Sequence, residues 1–117
     1  MLFRDQIISR KDVFTSLCRS HKVKYLYAFG SSTTGKFNEV TSDIDLIVEV
    51  DENDPAKRGD YLISLWDNFE VFFHRKVDLL TEASIRNPYL KDNINSTKRL
   101  IYDGNKVSNT YLISPRQ

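Results

Sequence analysis

Three aspartates of this 117-residue chain stand where apolar segments begin. Asp43 and Asp45 precede the apolar residues of DIDLIVEV, and Asp78 lies second in the shorter segment VDLL. Residues i and i+2 of a β-strand point to the same side, so the first two carboxylates are expected to project together. Two carboxylates about 6 Å apart repel by about 3 kcal/mol at an effective dielectric constant of 20, which favours a cation between them. Mg²⁺ suits this position, because it takes one or two protein carboxylates together with substrate phosphates.

The third acid stands in the same relation to its apolar neighbours as the first two do. If the two strands are adjacent, Asp43, Asp45 and Asp78 meet, and they can hold two metal ions, or hold one while Asp78 accepts a proton from an attacking hydroxyl. In a purely structural interpretation, Asp43 is a turn residue, Asp45 is a charge on an edge strand, and Asp78 is a solvent-facing residue at the start of a strand. An apolar strand with two acids at one end packs poorly without a ligand, which favours the metal site.

The segment FGSSTTGKF supplies groups that can hold phosphates. Gly30 allows close backbone approach, and backbone amides with the hydroxyls of Ser31 and Ser32 can bind a triphosphate. The spacing from Gly30 to Lys36 also matches a P-loop, but Phe37 stands where a P-loop needs Ser or Thr for Mg²⁺. The next apolar segment follows too soon for the long helix that a P-loop opens. We therefore predict another kind of nucleotide site, with Lys36 as a helper cation; a plain turn and a solvated lysine are the structural alternatives.

The polarity pattern predicts seven elements around these groups, in the order helix, strand, strand, helix, strand, helix, strand. They span residues 5–21, 23–29, 43–50, 61–73, 77–81, 83–95 and 98–103. Helix-start signals at Asp54, Pro55 and Asp60 precede the predicted apolar stripe of the second helix, and Asn87 with Pro88 predicts a break or restart in the third helix. This order predicts an α/β (α+β) domain with one small mixed β-sheet flanked by helices.

Apolar spacing also predicts which helix residues are buried. The buried face of the first helix is predicted to comprise Ile7, Ile8, Val13, Phe14, Leu17 and Cys18. That of the second is predicted to comprise Leu62, Leu65, Trp66, Phe69, Phe72 and Phe73. His21 and His74 lie near predicted helix ends, where surface roles are expected, so neither is assigned chemistry.

Composition narrows the function classes. Seventeen Lys and Arg against sixteen Asp and Glu leave a net charge of +1, which argues against nucleic acid as a direct partner. The single cysteine excludes an internal disulfide and a cysteine-built zinc site, and it fits a reducing compartment. The N-terminus lacks a signal-peptide apolar region, and no apolar run approaches the roughly 20 residues that span a bilayer. We expect a soluble cytoplasmic protein with no membrane partner.

Together these motifs resemble a known superfamily. FGSSTTGKFNEVTSDIDLIVEV followed by VDLL is similar to the nucleotidyltransferase superfamily that includes DNA polymerase β, and most closely to its minimal nucleotidyltransferases (MNT). The resemblance covers residues 24–103 and implies the polymerase β-like nucleotidyltransferase fold. It implies that Gly30 and Ser31 contact nucleotide phosphates, that Asp43 and Asp45 are metal ligands, and that Asp78 is the third carboxylate.

The sequence departs from the family pattern at one place. Thr33 and Thr34 stand where the family commonly carries alanine and arginine, so a charge that assists nucleotide binding is missing. Lys36 is the candidate substitute. All three acids are present, so nothing marks the chain as inactive.

The resemblance implies Mg²⁺-dependent transfer of AMP from ATP to a hydroxyl group. Minimal nucleotidyltransferases have no second domain that holds an acceptor, so the implied acceptor is a partner protein, the cognate HEPN-domain toxin of an MNT antitoxin. Two alternatives stay open: an antitoxin that acts by contact without catalysis, and a small-molecule or tRNA nucleotidyltransferase. Residues 1–104 are predicted to form the domain, and residues 105–117 a C-terminal tail that is disordered or binds a partner.

Overall fold

A computed structural model describes residues 3–33 and 43–105 of the chain; for Phe3, Ser31 and Ser32 it describes the backbone only. The helices are α1 (Phe3–Ser9), α2 (Lys11–Ser20), α3 (Pro55–Phe73) and α4 (Pro88–Thr97). The strands are β1 (Val23–Ala28), β2 (Ile44–Val50), β3 (Val77–Leu80) and β4 (Arg99–Asp103). Two short 3₁₀ turns, Gly30–Thr33 and Glu82–Ser84, follow β1 and β3.

The four strands form one mixed sheet in the order β3-β2-β1-β4. β1 is antiparallel to both β2 and β4, whereas β2 and β3 run parallel and are connected through α3. A parallel pair needs a crossover of this kind, because its strands start at the same edge of the sheet. The predicted mixed sheet flanked by helices is confirmed.

The two faces of the sheet carry different layers. Ile44, Leu46 and Val48 of β2 point into the main core, which also contains buried residues of α1, α2 and α3. Ile47 points the other way, into a smaller cluster with Phe29 and with Ile94 of α4. Because side chains alternate along a strand, the residues of β2 and β3 that point away from the main core lie on the side of the sheet that α4 covers.

Local signals explain where α3 and α4 begin. The Asp54 side chain accepts a hydrogen bond from the Ala56 amide (2.9 Å), and Pro55 occupies the first turn of α3. Asn87 likewise accepts from the Tyr89 amide (2.8 Å) and caps α4. The predicted restart at Asn87 and Pro88 is therefore confirmed, and α4 begins there rather than at residue 83.

The prediction of one continuous first helix is wrong. Arg10, with φ −125° and ψ 45°, separates α1 from α2. Ile7, Phe14 and Cys18 are buried as predicted, but Ile8 and Val13 are exposed. Phe14 and Cys18 are about 40° apart on a helical projection of α2, so this short helix buries only a narrow stripe.

Trp66 is also not the core residue that its spacing predicts. Its side chain is 39% exposed, and the indole N–H donates to the carbonyl oxygen of Val77 (2.6 Å). Val77 belongs to β3, the outer strand of the sheet, so the indole satisfies an edge carbonyl that no neighbouring strand can reach. In the part of the chain that the structure describes, no helix is long and apolar enough to cross a membrane.

Candidate active site

Two of the three predicted acids face each other across neighbouring strands. Asp45 of β2 and Asp78 of β3 are register partners in the parallel pair. Both alternate with residues of the main core, so both project toward α4, and both are half-buried. Asp43 is half-buried too and lies just before β2 begins. The parallel pairing thus brings together carboxylates that are 33 positions apart in the chain.

The electrostatics of Asp45 show how close these groups are. Burial, together with the negative charges of Asp78 and Asp43, raises the pKa of the Asp45 carboxyl to about 6. A hydrogen bond between the Asp45 and Asp78 carboxyls also favours the protonated form. A proton shared by the two acids lessens the repulsion between their carboxylates, and a cation bound at the same place would have the same effect.

The carboxylates of the site are suited to a divalent cation that is also coordinated by substrate phosphates. Within residues 3–33 and 43–105, no three His, Cys, Asp or Glu side chains are already arranged around a metal position. Mg²⁺ requires less than that, since one or two carboxylates suffice when waters and substrate phosphates complete its shell. The pair Asp45 and Asp78, with Asp43 at the strand start, provides those oxygens. Their role as metal ligands stays a prediction.

Gly30 lies directly against this pair. The Phe29 amide donates to the Asp45 carbonyl oxygen (3.0 Å), which places the following residue beside the carboxylates. Gly30 has φ +63°, and a Cβ added there would lie 3.0 Å from Asp45 Oδ2. Only glycine meets both conditions without strain. Glycine at this position is thus explained by the nearby Asp45 side chain, whereas the close approach of its backbone to a phosphate stays a prediction.

The other predicted nucleotide residues are only partly described. Ser31 and Ser32 continue the 3₁₀ turn that Gly30 begins, so they directly follow the glycine that lies against Asp45. Their hydroxyls and Lys36 lie outside the described residues, so their nucleotide contacts stay predictions. The turn that starts at Gly30 is 3₁₀ rather than the first turn of a long helix over the residues described, which agrees with the rejection of a P-loop.

Helix α4 contributes residues that the sequence analysis missed. The Gly30 amide donates to Thr97 Oγ1 (2.8 Å), and Thr33 Oγ1 contacts the Thr97 carbonyl oxygen (2.8 Å). Thr33, noted above only as a departure from the family pattern, thus anchors the turn to the end of α4. No local signal marks Thr97, because its partner Gly30 is 67 positions away in the chain.

Comparison with known proteins agrees with this geometry. Residues 12–107 match the family model described as "Polymerase beta, Nucleotidyltransferase". The chain belongs to the polymerase β nucleotidyltransferase family. The match includes all three aspartates, the glycine turn and α4.

Two relatives of this chain come from Methanocaldococcus jannaschii, and both are named "Putative protein adenylyltransferase". One is 45% identical over 74 residues, which cover 63% of this chain and 72% of that protein. The other is 37% identical over 78 residues, which cover 67% of this chain and 76% of that protein.

Solved structures share the nucleotidyltransferase fold at lower identity. A crystal structure of a toxin–antitoxin with AMP-PNP contains a chain with TM-score 0.59 and 21% identity, over 80% of this chain and 73% of that one. A structure described as a minimal nucleotidyltransferase has TM-score 0.57 and 23% identity, over 81% of this chain and 92% of that one. At these identities the similarity establishes the fold.

The raised pKa of Asp45 predicts a pH-dependent gain in stability when this charge is removed. We expect Asp45→Asn to raise the thermal stability of the metal-free protein at pH 8 and to change it little near pH 4. The folded-state pKa (about 6) exceeds the ordinary value of 3.8, so the stability contributed by the proton is present below pH 3.8 and lost as pH rises through 6. Because the group is half-exposed, the gain is on the order of 1 kcal/mol, or a few degrees in melting temperature.

Thermal unfolding at pH 4, 6 and 8 measures this gain. Asp92→Asn, an exposed position on α4, serves as the control for losing one negative charge. The raised pKa of Asp45 would be contradicted if the gain in thermal stability for Asp45→Asn were the same at all three pH values, or no larger than that of the control.

Proposed function

We propose that this chain is a Mg²⁺-dependent adenylyltransferase that moves AMP from ATP to a hydroxyl of a partner protein. The observation that carries the proposal is the pairing of Asp45 with Asp78 beside Gly30. It combines two half-buried carboxylates with a backbone turn whose amides can approach a triphosphate. The names of the family and of the relatives support nucleotidyl transfer as the reaction.

The reaction exchanges one phosphate ester bond for another. The acceptor oxygen attacks the α-phosphorus of ATP, and the bond from this phosphorus to the α,β-bridging oxygen breaks, so that pyrophosphate leaves. The proton of the acceptor hydroxyl passes to the Asp78 carboxylate, which acts as general base. Asp43 and Asp45, with Asp78, would hold one or two Mg²⁺ ions, whose positive charge neutralises the phosphates. The Gly30 turn orients the triphosphate for in-line attack.

The proposal also concerns the identity of the molecule that accepts AMP. The described domain consists of one sheet with four helices, and the site lies between the sheet and α4. The fold is shared with a chain from a toxin–antitoxin structure that contains an ATP analogue. We therefore propose that this chain is the antitoxin of an MNT and HEPN pair, and that it adenylylates its cognate HEPN toxin.

Intact mass spectrometry tests this proposal directly. The purified chain is mixed with ATP, Mg²⁺ and the purified product of the adjoining gene, and the masses of both proteins are followed. We expect the partner to gain one or more AMP units and the gain to disappear with EDTA. AMP transfer to tRNA or to a small alcohol instead would replace the proposed acceptor, and no AMP transfer to any acceptor would refute the enzymatic proposal.

A further inference from the structure

One face of α4 borders the candidate site. Asn93 and Thr97 are four residues apart, which places them on the same side of the helix. Both lie next to Gly30: the Gly30 amide donates to Thr97 Oγ1 (2.8 Å), and Asn93 Oδ1 is 3.9 Å from the point that a Cβ on Gly30 would occupy. Neither residue has a motif or a spacing signal that marks it in the sequence.

Thr97 is the centre of a hydrogen-bonded clamp. Its hydroxyl accepts from the Gly30 amide and donates to the Asn93 carbonyl oxygen (2.7 Å). Its own carbonyl oxygen is contacted by Thr33 Oγ1 (2.8 Å), which also contacts the Gly30 carbonyl oxygen (3.1 Å). The clamp therefore holds both ends of the 3₁₀ turn Gly30–Thr33 against the last turn of α4.

Asn93 differs from Thr97 because its carboxamide is exposed and has no hydrogen-bond partner among residues 3–33 and 43–105. The Cβ position of Gly30 lies 3.0 Å from Asp45 Oδ2 and 3.9 Å from Asn93 Oδ1. The two side chains thus border the same space above the Gly30 α-carbon. A carboxamide can turn either its oxygen or its two N–H donors toward a ligand. A triphosphate bound beside the carboxylates would present oxygens that accept hydrogen bonds from the N–H donors of Asn93.

We propose that α4 completes the nucleotide site: the Asn93 carboxamide donates to a phosphate oxygen of the bound nucleoside triphosphate, and Thr97 positions the Gly30 turn that holds the same phosphates. Asn93 is a substrate-contacting residue, whereas Thr97 acts through the turn. The inference rests on the proposed function, since it assumes that ATP is the ligand of this site.

Asn93 is tested by ATP affinity, with Asn95 as the matched control. Asn95 is an exposed asparagine two positions along the same helix, which turns it about 200° away from Asn93. We expect Asn93→Ala to weaken ATP·Mg²⁺ binding about 10-fold, the typical loss of a hydrogen bond to a charged group. Asn93→Asp should weaken it further, because it adds a negative charge beside the phosphates. Asn95→Ala and Asn95→Asp should bind like the wild type.

Calorimetry with ATP·Mg²⁺ on the full chain provides the measurement. Equal affinities for the Asn93 and Asn95 variants would overturn the Asn93 contact. A wild-type chain that binds no ATP·Mg²⁺ would refute the proposed function instead, so the two failures are distinguishable.

Thr97 is tested by separating catalysis from folding. Thr97→Val keeps the shape but removes the hydroxyl, and we expect kcat/KM for ATP to fall about 10-fold, mainly through a higher KM. Thr97→Ser retains the hydroxyl and should restore most of the loss. Ser96→Ala, which removes only a hydroxyl that donates to the Asn93 carbonyl oxygen (3.1 Å), is the control.

Melting temperatures identify a variant that has simply lost its fold. If Thr97→Val does not fold, Thr33→Val loosens the other end of the clamp and should raise the KM for ATP in the same direction. Equal losses for the Val and Ser variants at position 97, or an unchanged KM in a folded Val variant, would overturn the positioning role.

Discussion

We expect Asp78→Asn to lower the rate of AMP transfer by a factor of about 10² to 10⁴ while the protein still binds its partner. Loss of a general base typically costs this much, and loss of a metal ligand costs at least as much. Asparagine keeps the shape of the side chain and can still pair with the Asp45 carboxyl, so β3 and the core beneath it should be unaffected. The measurement is the rate of AMP addition to the partner, followed by intact mass spectrometry.

The same variant separates an enzyme from a blocking antitoxin. A protein that neutralises its toxin by contact needs a complementary surface, and one carboxylate replaced by an amide of equal size hardly changes that surface. Size-exclusion chromatography should show a complex of the Asn variant with its partner, and an assay of the toxin's own activity should show that the toxin is not inhibited. If the toxin is neutralised equally well by both proteins and no mass is added, the contact mechanism replaces the catalytic one. Asp92→Asn, an exposed acid on α4, should behave like the wild type.

We expect Gly30→Ala to lower kcat/KM by on the order of 100-fold, because a misplacement of about 1 Å at a reacting group can cost this much. The added methyl group would lie 3.0 Å from Asp45 Oδ2, and the backbone at φ +63° disfavours any residue with a Cβ by about 1–2 kcal/mol. The turn must therefore move away from the carboxylates that it is proposed to serve. Steady-state kinetics with ATP and the partner measure the effect.

Gly59→Ala is the matched control for this substitution. Gly59 lies within α3, and a Cβ added there meets nothing within 4 Å. Alanine within a helix is favoured over glycine by about 1 kcal/mol, so this variant should be fully active and slightly more stable. If Gly30→Ala is as active as Gly59→Ala, close approach at Gly30 has no role in the reaction.

Lys36→Ala compares the two phosphate-site hypotheses. We expect it to reduce activity much less than Gly30→Ala does, because Lys36 is proposed only as a helper cation. In a P-loop the lysine contacts the transferring phosphate directly, so the order of the two losses would reverse. A larger loss from Lys36→Ala would contradict the site proposed here.

The sequence by itself predicted most of the secondary-structure elements and the candidate residues of the site. Alternation of apolar residues predicted the strands, and Asn87 with Pro88 predicted the restart at α4, because turns, caps and strand faces depend on residues close together in the chain. The same periodicity placed Asp43 and Asp45 on one face of a strand. The family motifs named Gly30 and Asp78 as their complements.

Only the tertiary structure decided how these pieces meet. The parallel register that pairs Asp45 with Asp78 depends on how α3 packs its buried face on the sheet, and a local pattern does not specify that packing. The break at Arg10 and the exposed Trp66 escaped prediction because helical spacing alone does not show how wide a face the core covers. Thr97 escaped for the strongest reason: it contacts the site through a hydrogen bond to Gly30 across 67 positions, and only the folded chain brings the two together.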